Sequence, residues 1–115
     1  MTRNSSIETA ADTCSSAVTQ DVSLKPGNPR MLRCIQKMSV DTGSTKATVV
    51  NFGLKRSGSI IWLGSDTQAA DLEIASIDGP IYAPLDHVPF ARVVVGTVGQ
   101  RLSLAVFGYT SDIGI

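Results

Sequence analysis

The chain has 115 residues, with ten basic and ten acidic side chains and hence a formal net charge of zero at neutral pH. This length predicts one domain that buries about two thirds of the surface its unfolded chain exposes. The balanced charge argues against a general electrostatic attraction to nucleic acid or anionic lipid. No window approaches the length of a membrane-spanning segment. We therefore expect neither nucleic acid nor a membrane as a partner.

The first 20 residues differ in composition from the rest of the chain. They are rich in Ser, Thr, Ala and Asp, with isolated apolar positions at Ile7 and Val18. This composition predicts an N-terminal arm over residues 1–20, either disordered or ordered by strand addition to a neighbouring subunit. A short helix around residues 7–13 is an alternative. The first eight residues lack the apolar segment of a secretory signal, so we expect cytoplasmic synthesis.

From residue 21 onward, apolar runs of strand length alternate with turn signals, which is typical of an all-β sandwich or barrel. The pattern predicts one antiparallel β-sandwich domain over residues 21–115 with little helix. Seven strands are expected, at residues 21–24, 30–38, 46–52, 59–63, 71–77, 91–96 and 101–108. Turns are expected at Asp41-Thr42-Gly43-Ser44, Lys55-Arg56-Ser57-Gly58, Gly64-Ser65-Asp66 and Asp78-Gly79-Pro80.

Two hairpins stand out in this pattern. Residues 24–53 are predicted to form an opening hairpin, and the last two strands a closing hairpin around the glycines at 96 and 99. After that turn Leu102, Leu104 and Val106 alternate with other residues, so one face of the last strand is expected in the core. Cys34, inside an apolar run, is predicted to be a buried thiol, and Cys14 to be reduced.

The triplet Asp41-Thr42-Gly43 is the strongest candidate for catalysis. It is the signature of retroviral-type aspartic proteases, in which two carboxylates share a proton and activate water. A chain of this length would have to dimerise to pair two such loops. The flanking residues are only partly apolar, so we interpret the triplet as a solvated turn, with a dimeric aspartic protease as the alternative. His87 is the only histidine, and we predict no catalytic residue, no metal and no cofactor.

Apolar residues outside the predicted core indicate contact surfaces. Trp62 lies in the run Ile60-Ile61-Trp62-Leu63, which predicts a strand covered by the core on one face and by a neighbouring subunit on the other. The alternative is an exposed ring, of Trp62 or of Tyr82, that stacks on a sugar. The apolar C-terminus indicates docking on the parent domain or on another subunit. The candidate interface residues are Ile7, Val18, Trp62, Tyr109 and Ile113.

Three short motifs carry a resemblance to a known class of proteins. Asn28-Pro29-Arg30 precedes the first long strand, Val50-Asn51-Phe52-Gly53 ends the second, and Tyr82-Ala83-Pro84 precedes the last hairpin. In this order, over residues 22–108, the chain resembles small β-sandwich virion proteins of tailed bacteriophages. The resemblance implies a jelly-roll-like sandwich without enzymatic activity. It also implies that the chain assembles as a homo-oligomer, for which a trimer is one option.

The resemblance also implies a function and a location. We expect a capsid decoration or cement protein that stabilises the head by bridging major capsid subunits. Its partners would be the major capsid protein or other virion proteins, and its location the virion, after synthesis in the host cytoplasm. A tail, collar or fibre-base protein is the alternative, followed by a carbohydrate-binding surface module.

Overall fold

The computed structural model of the protein describes residues 2–13, 19–25, 31–43, 48–68, 74–84, 86–94, 99 and 101–112. These residues form eight strands and, within the described ranges, no helix. The strands are β1 (Thr2–Thr13), β2 (Thr19–Ser23), β3 (Met31–Asp41), β4 (Thr48–Arg56), β5 (Ser59–Gln68), β6 (Ile74–Ala83), β7 (Val88–Val94) and β8 (Arg101–Asp112). The prediction of an all-β chain with little helix is confirmed.

The strands form two four-stranded sheets. The first sheet has the order β1-β8-β3-β6 and the second the order β2-β7-β4-β5, and every pair is antiparallel. Strand β1 pairs with β8, β2 with β7, β3 with β6 and β4 with β5. The chain is therefore one long hairpin, closed between β4 and β5 and wrapped into two layers, which is jelly-roll topology. The predicted sandwich is confirmed.

The core lies between the two sheets and follows the period-two alternation of the strands. On β4, Val50, Phe52 and Leu54 face inward and are completely or almost completely buried. On β8, alternate residues from Leu102 to Val106 face inward in the same way, as their spacing predicts. These branched and aromatic side chains from both layers stabilise the sandwich by removing apolar surface from water.

The two predicted hairpins are wrong in their pairing. Strands β3 and β4 belong to different sheets, and so do β7 and β8. Among the described residues, β4 and β5 are the only consecutive strands that pair, through a two-residue turn at Ser57 and Gly58 with φ of 45° and 88°. Such a turn, with positive φ at both residues, matches the twist of a hairpin. Turn residues alone do not distinguish a hairpin from a connection between layers.

The predicted arm of residues 1–20 contains a strand of the domain's own first sheet. Strand β1 pairs with β8 along its whole length, from Thr2 opposite Asp112 to Thr13 opposite Arg101. The short helix considered for residues 7–13 is therefore wrong. The local preference of this polar segment for any one secondary structure is weak. The backbone groups at the edge of β8 offer it hydrogen-bond partners, and these hydrogen bonds outweigh the local preference.

Two of the predicted turns lie inside strands. Gly64-Ser65-Asp66 belongs to β5, and Asp78-Gly79-Pro80 belongs to β6. Gly79 lies beside a bulge in β3, where the register shifts between Ile35 and Lys37. A Cβ built on Gly79 would overlap the carbonyl oxygen of Ile35. This glycine therefore permits a close approach of two backbones within the sheet instead of a reversal of the chain.

Candidate assembly surface

The outer face of the second sheet carries an aromatic pair that packs over a glycine. Gly53 of β4 is the register partner of both Trp62 on β5 and Phe90 on β7. The centroids of the two rings are 5.5 Å apart, with an angle of 49° between the ring planes. A Cβ on Gly53 would lie 2.9 Å from Cε1 of Phe90 and 3.2 Å from Cε3 of Trp62. The absence of a side chain at Gly53 thus permits the rings to meet.

Two cations flank this aromatic pair. Arg92 Cζ lies 5.3 Å from the ring centroid of Trp62 and 5.8 Å from that of Phe90. Lys55 Nζ lies 4.8 Å from the ring centroid of Phe90. These distances are within the range of cation–π attraction. We call Gly53, Lys55, Trp62, Phe90 and Arg92 the tryptophan face.

A carboxylate fixes the position of these cations. Arg92 donates from Nε to Oδ1 of Asp21 at 2.7 Å and from its terminal nitrogen to Oδ2 at 3.0 Å, and Lys55 Nζ lies 4.0 Å from Oδ2. The hydrogen bond to Asp21 is the main cause that raises the pKa of Arg92, so the guanidinium keeps its charge. The bidentate geometry orients the Arg92 side chain over the rings.

The exposure of the two rings differs. Phe90 is fully buried beneath its neighbours, although it faces away from the core between the sheets, whereas Trp62 is 48% exposed. A half-exposed tryptophan held by a buried ring and by a fixed arginine offers rigid apolar area at low entropic cost. Trp and Arg are, with Tyr, the residues enriched at the energetic centres of protein interfaces.

An open depression of about 840 Å³ adjoins the tryptophan face. Side chains of both charges line it. Asp21 and Asp86 are acidic, and Lys55, Arg56 and Arg92 are basic. Ile60 and Val88 contribute apolar walls. This mixture suits a protein surface with charges of both signs better than a ligand of one charge.

The predicted interface residues lie on two different faces. Ile7 is 68% exposed on the outer face of the first sheet, and Tyr109 is half-buried on that same face. The Tyr109 hydroxyl accepts a hydrogen bond from Gln36 Nε2 at 2.8 Å. Trp62 lies on the opposite outer face, so the structure does not bring it together with Ile7. Val18 and Ile113 lie outside the described residues.

The prediction that Cys34 is buried in the core is wrong. Cys34 is the register partner of Tyr109 and of Tyr82, and it is a half-buried free thiol on the outer face of the first sheet. Gln36 Nε2 donates to its Sγ at 3.8 Å. The bulge at Gln36 interrupts the alternation of β3, which sequence periodicity does not reveal. Cys14 lies outside the described residues.

The Asp41-Thr42-Gly43 triplet ends β3 and is built as a turn. The exposed Asp41 carboxylate accepts the backbone N–H of Gly43 at 2.9 Å, and Gly43 has a φ of 62°. The Thr42 side chain is completely buried, and its hydroxyl hydrogen-bonds to Oε1 of the equally buried Gln68. Thr42 thereby links the first sheet to β5 of the second. No group of three or more potential metal ligands occurs among the described side chains.

Sequence reasoning missed the residues that hold Trp62 in place, namely Gly53, Phe90, Arg92 and Asp21. A signal for them exists in β7, where Phe90 and Arg92 alternate with the core residues Ala91 and Val93. That alternation places an aromatic ring and a cation together on the outer face. Their contact with Trp62 depends on the strand order β7-β4-β5, which the sequence does not show.

Comparisons with known proteins give a likeness of fold. A scan against models of protein families finds no match, and a search of curated protein sequences finds none. Solved structures do match, among them a cryo-EM structure of the virus-like particle of the extra small virus of the giant freshwater prawn Macrobrachium rosenbergii. The TM-score is 0.50 at 12% identity, over 95% of this chain and 78% of that one.

The likeness is one of fold. It extends over both sheets because it covers nearly the whole chain.

Within the described part of the chain, no helix has the length and apolar character needed to cross a membrane.

Proposed function

We propose that this chain is a structural subunit of a virus particle. The observation that carries the proposal is the topology, a single hairpin of eight strands wrapped into two four-stranded sheets, which matches a subunit of a virus-like particle over 95% of the chain. Jelly rolls of this kind recur in viral capsid domains. The function is then geometric, because the subunit stabilises a particle by burying surface against its neighbours.

The distribution of exposed apolar residues supports this proposal. Large apolar side chains are exposed on both outer faces and at sheet edges, namely Ile7, Val49, Ile61, Trp62, Ile74 and Tyr82. A subunit inside a particle needs contact surfaces on more than one side, whereas a monomer needs none. The fixed ring of Trp62 is the best formed of these contacts.

The finer role that we propose is decoration of a capsid. In this role the chain acts as a cement protein of a tailed bacteriophage and bridges major capsid subunits. The support is the resemblance carried by Asn28-Pro29-Arg30, Val50-Asn51-Phe52-Gly53 and Tyr82-Ala83-Pro84. A subunit that bridges its neighbours raises the free energy needed to separate them. A tail, collar or fibre-base protein would use the same sandwich in fewer copies.

The experiment that tests the proposal follows the protein on purified particles. We expect it to co-purify with intact particles and to occupy ordered positions in their cryo-EM reconstruction. If the purified chain alone forms closed particles, it is a shell subunit; if it binds only to preformed capsids and raises their resistance to heat, it is a cement protein. Absence from purified particles would overturn the proposal.

A second candidate function rests on the exposure of Trp62. The ring is open enough to stack on a sugar, and Arg92 beside it offers hydrogen-bond donors. Binding of a glycan would quench or shift the fluorescence of this single tryptophan, and Trp62→Ala would abolish binding while Tyr82→Ala would preserve it. A glycan array without a hit for the wild-type protein would reject this function.

A further inference from the structure

Each sheet ends in two edge strands, and edge strands are templates for pairing with other chains. Three of the four edges carry a device that hinders such pairing. Strand β2 has only five residues. Strand β1 turns the charged Glu8 inward, where it meets Arg33. Strand β6 contains Pro80, which has no N–H to donate.

Strand β5 is protected along only half of its length. In its second half, the Asp66 carboxylate accepts the backbone N–H of Ser76 on β6 at 2.9 Å, and Gly64 lies next to the side chain of Ile77. Residues 59–63 have no charge and no proline. Among the described strands, β5 pairs only with β4. This half of β5 is therefore an open edge.

The open edge exposes apolar side chains on both faces of the strand. Ile61 is 43% exposed and pairs with Leu54, which faces the core. Trp62 is 48% exposed and pairs with Gly53, which faces outward. A strand that lies beside residues 59–63 would cover both side chains and satisfy the backbone at once.

We propose that a second copy of this chain occupies this edge, with the two β5 strands antiparallel about a two-fold axis beside Trp62. The inference deepens the proposed function, because it names one contact that the subunit makes. The register of β5 on β4 skips Leu63, a bulge residue between Trp62 and Gly64. Pairing of Trp62 with its own copy therefore places Ile60 opposite Ser65 of the second copy and Ser59 opposite Asp66. It also brings the hairpin tip with Arg56 close to Asp66 of that copy, twice by symmetry.

The charges and the side chains of this arrangement are self-complementary. The exposed Arg56 of one copy lies near the Asp66 carboxylate of the other copy. The apolar residues between these two ends pack against the same residues of the second copy. Isologous contacts require such complementarity of one patch with itself. The second sheets of the two copies then join into one continuous sheet of eight strands.

The first experiment measures the mass of the protein by light scattering after size exclusion. We expect the wild-type protein to have the mass of two chains and Ile61→Lys to have the mass of one, since like charges would meet across the axis. Ile7→Lys is the matched control, because Ile7 is exposed on another edge strand, and it should remain a dimer. Circular dichroism verifies that both variants are folded. A monomeric wild-type protein, or a dimeric Ile61→Lys variant, would overturn the proposal.

The second experiment tests the register. In a background of Cys14→Ser and Cys34→Ser, one preparation carries Ile60→Cys and another carries Ser65→Cys, because both positions face outward and lie opposite each other in this register. Under mild oxidation the mixture should form covalent dimers, whereas each preparation alone should not, because only the mixed pair meets the distance that a disulfide requires. Cross-linking that is equal in all three samples, or absent from the mixture, would contradict this register.

The two proposals fail in different ways. If the protein is found in particles but neither experiment supports the β5 contact, the edge proposal is wrong and the proposed function stands. If the dimer forms with the expected cross-links but the protein is absent from particles, the contact is real and the virion function is wrong.

Discussion

Arg33 of β3 reaches across β8 to hold Glu8 of β1 by two parallel hydrogen bonds of 3.0 Å. The two residues are 25 positions apart in sequence. The Arg33 side chain is 11% exposed and that of Glu8 33%. Among the described side chains of β1, Ala10 packs against the core, so this ion pair adds a specific side-chain anchor to the backbone pairing of the N-terminal strand.

Removal of the Glu8 charge should therefore loosen β1. We expect Glu8→Gln to lower the free energy of unfolding by about 1–3 kcal/mol, because the largely buried Arg33 loses its charged partner. Chemical denaturation measures this loss, and amide hydrogen exchange should become faster in β1. Asp78→Asn removes the same charge at an exposed position of β6. An equal loss in both variants would show that net charge, not the pairing with Arg33, is responsible.

Substitution of Gly53 by even the smallest side chain should destabilise the protein. We expect Gly53→Ala to lower the free energy of unfolding by about 1–3 kcal/mol, because its Cβ would press on the rings of Phe90 and Trp62. The fluorescence of Trp62 should change as its ring is displaced. Gly64→Ala on β5 is the control, since its Cβ would lie 3.6 Å from Ile77, an ordinary contact distance. A Gly53→Ala protein as stable as the Gly64→Ala protein would contradict this account of the tryptophan face.

Gly108 should be more sensitive still. Its Cβ would overlap the carbonyl oxygen of Cys34, which belongs to the backbone of β3 and cannot rotate away as a side chain does. We expect Gly108→Ala to cost about 2–4 kcal/mol of the free energy of unfolding. In thermal denaturation, the Gly108→Ala variant should have a lower melting temperature than the Gly53→Ala variant. The reverse order would mean that the backbones of β3 and β8 can separate at the bulge more easily than the rings can move.

The Asp41-Thr42-Gly43 turn should depend on Thr42 more than on Asp41. Thr42→Val keeps the shape of the side chain but removes the hydroxyl that bonds to the buried Gln68, and we expect it to cost about 1–3 kcal/mol. Asp41→Asn retains an acceptor for the Gly43 N–H and should leave stability and assembly close to those of the wild-type protein. Urea denaturation of both variants makes the comparison. Loss of a peptidase activity in Asp41→Asn would instead support the protease alternative.

Much of the core was predictable from local pattern. The alternation around Leu104 and the apolar run that contains Phe52 identify inward-facing positions, because side chains on a strand alternate between faces with a period of two residues. The turn at Ser57-Gly58 was predictable because its residues tolerate positive φ. The sequence left open whether Trp62 contacts a neighbouring subunit or stacks on a sugar, and its exposure in the single chain is compatible with both.

The partners of the strands were not predictable in the same way. The polar residues of β1 have no strong local preference, and only the edge of β8 makes them a strand. The pairs that close this fold, such as Glu8 with Arg33 and Gly53 with Phe90, join residues distant in sequence whose contact depends on the order of strands in a sheet. The sequence by itself determined which residues are apolar, which alternate and where the central hairpin turns, because these properties are local. The tertiary structure alone decided which strands pair, which glycines allow close approach and which edge stays open, because those depend on backbone hydrogen bonds between distant segments.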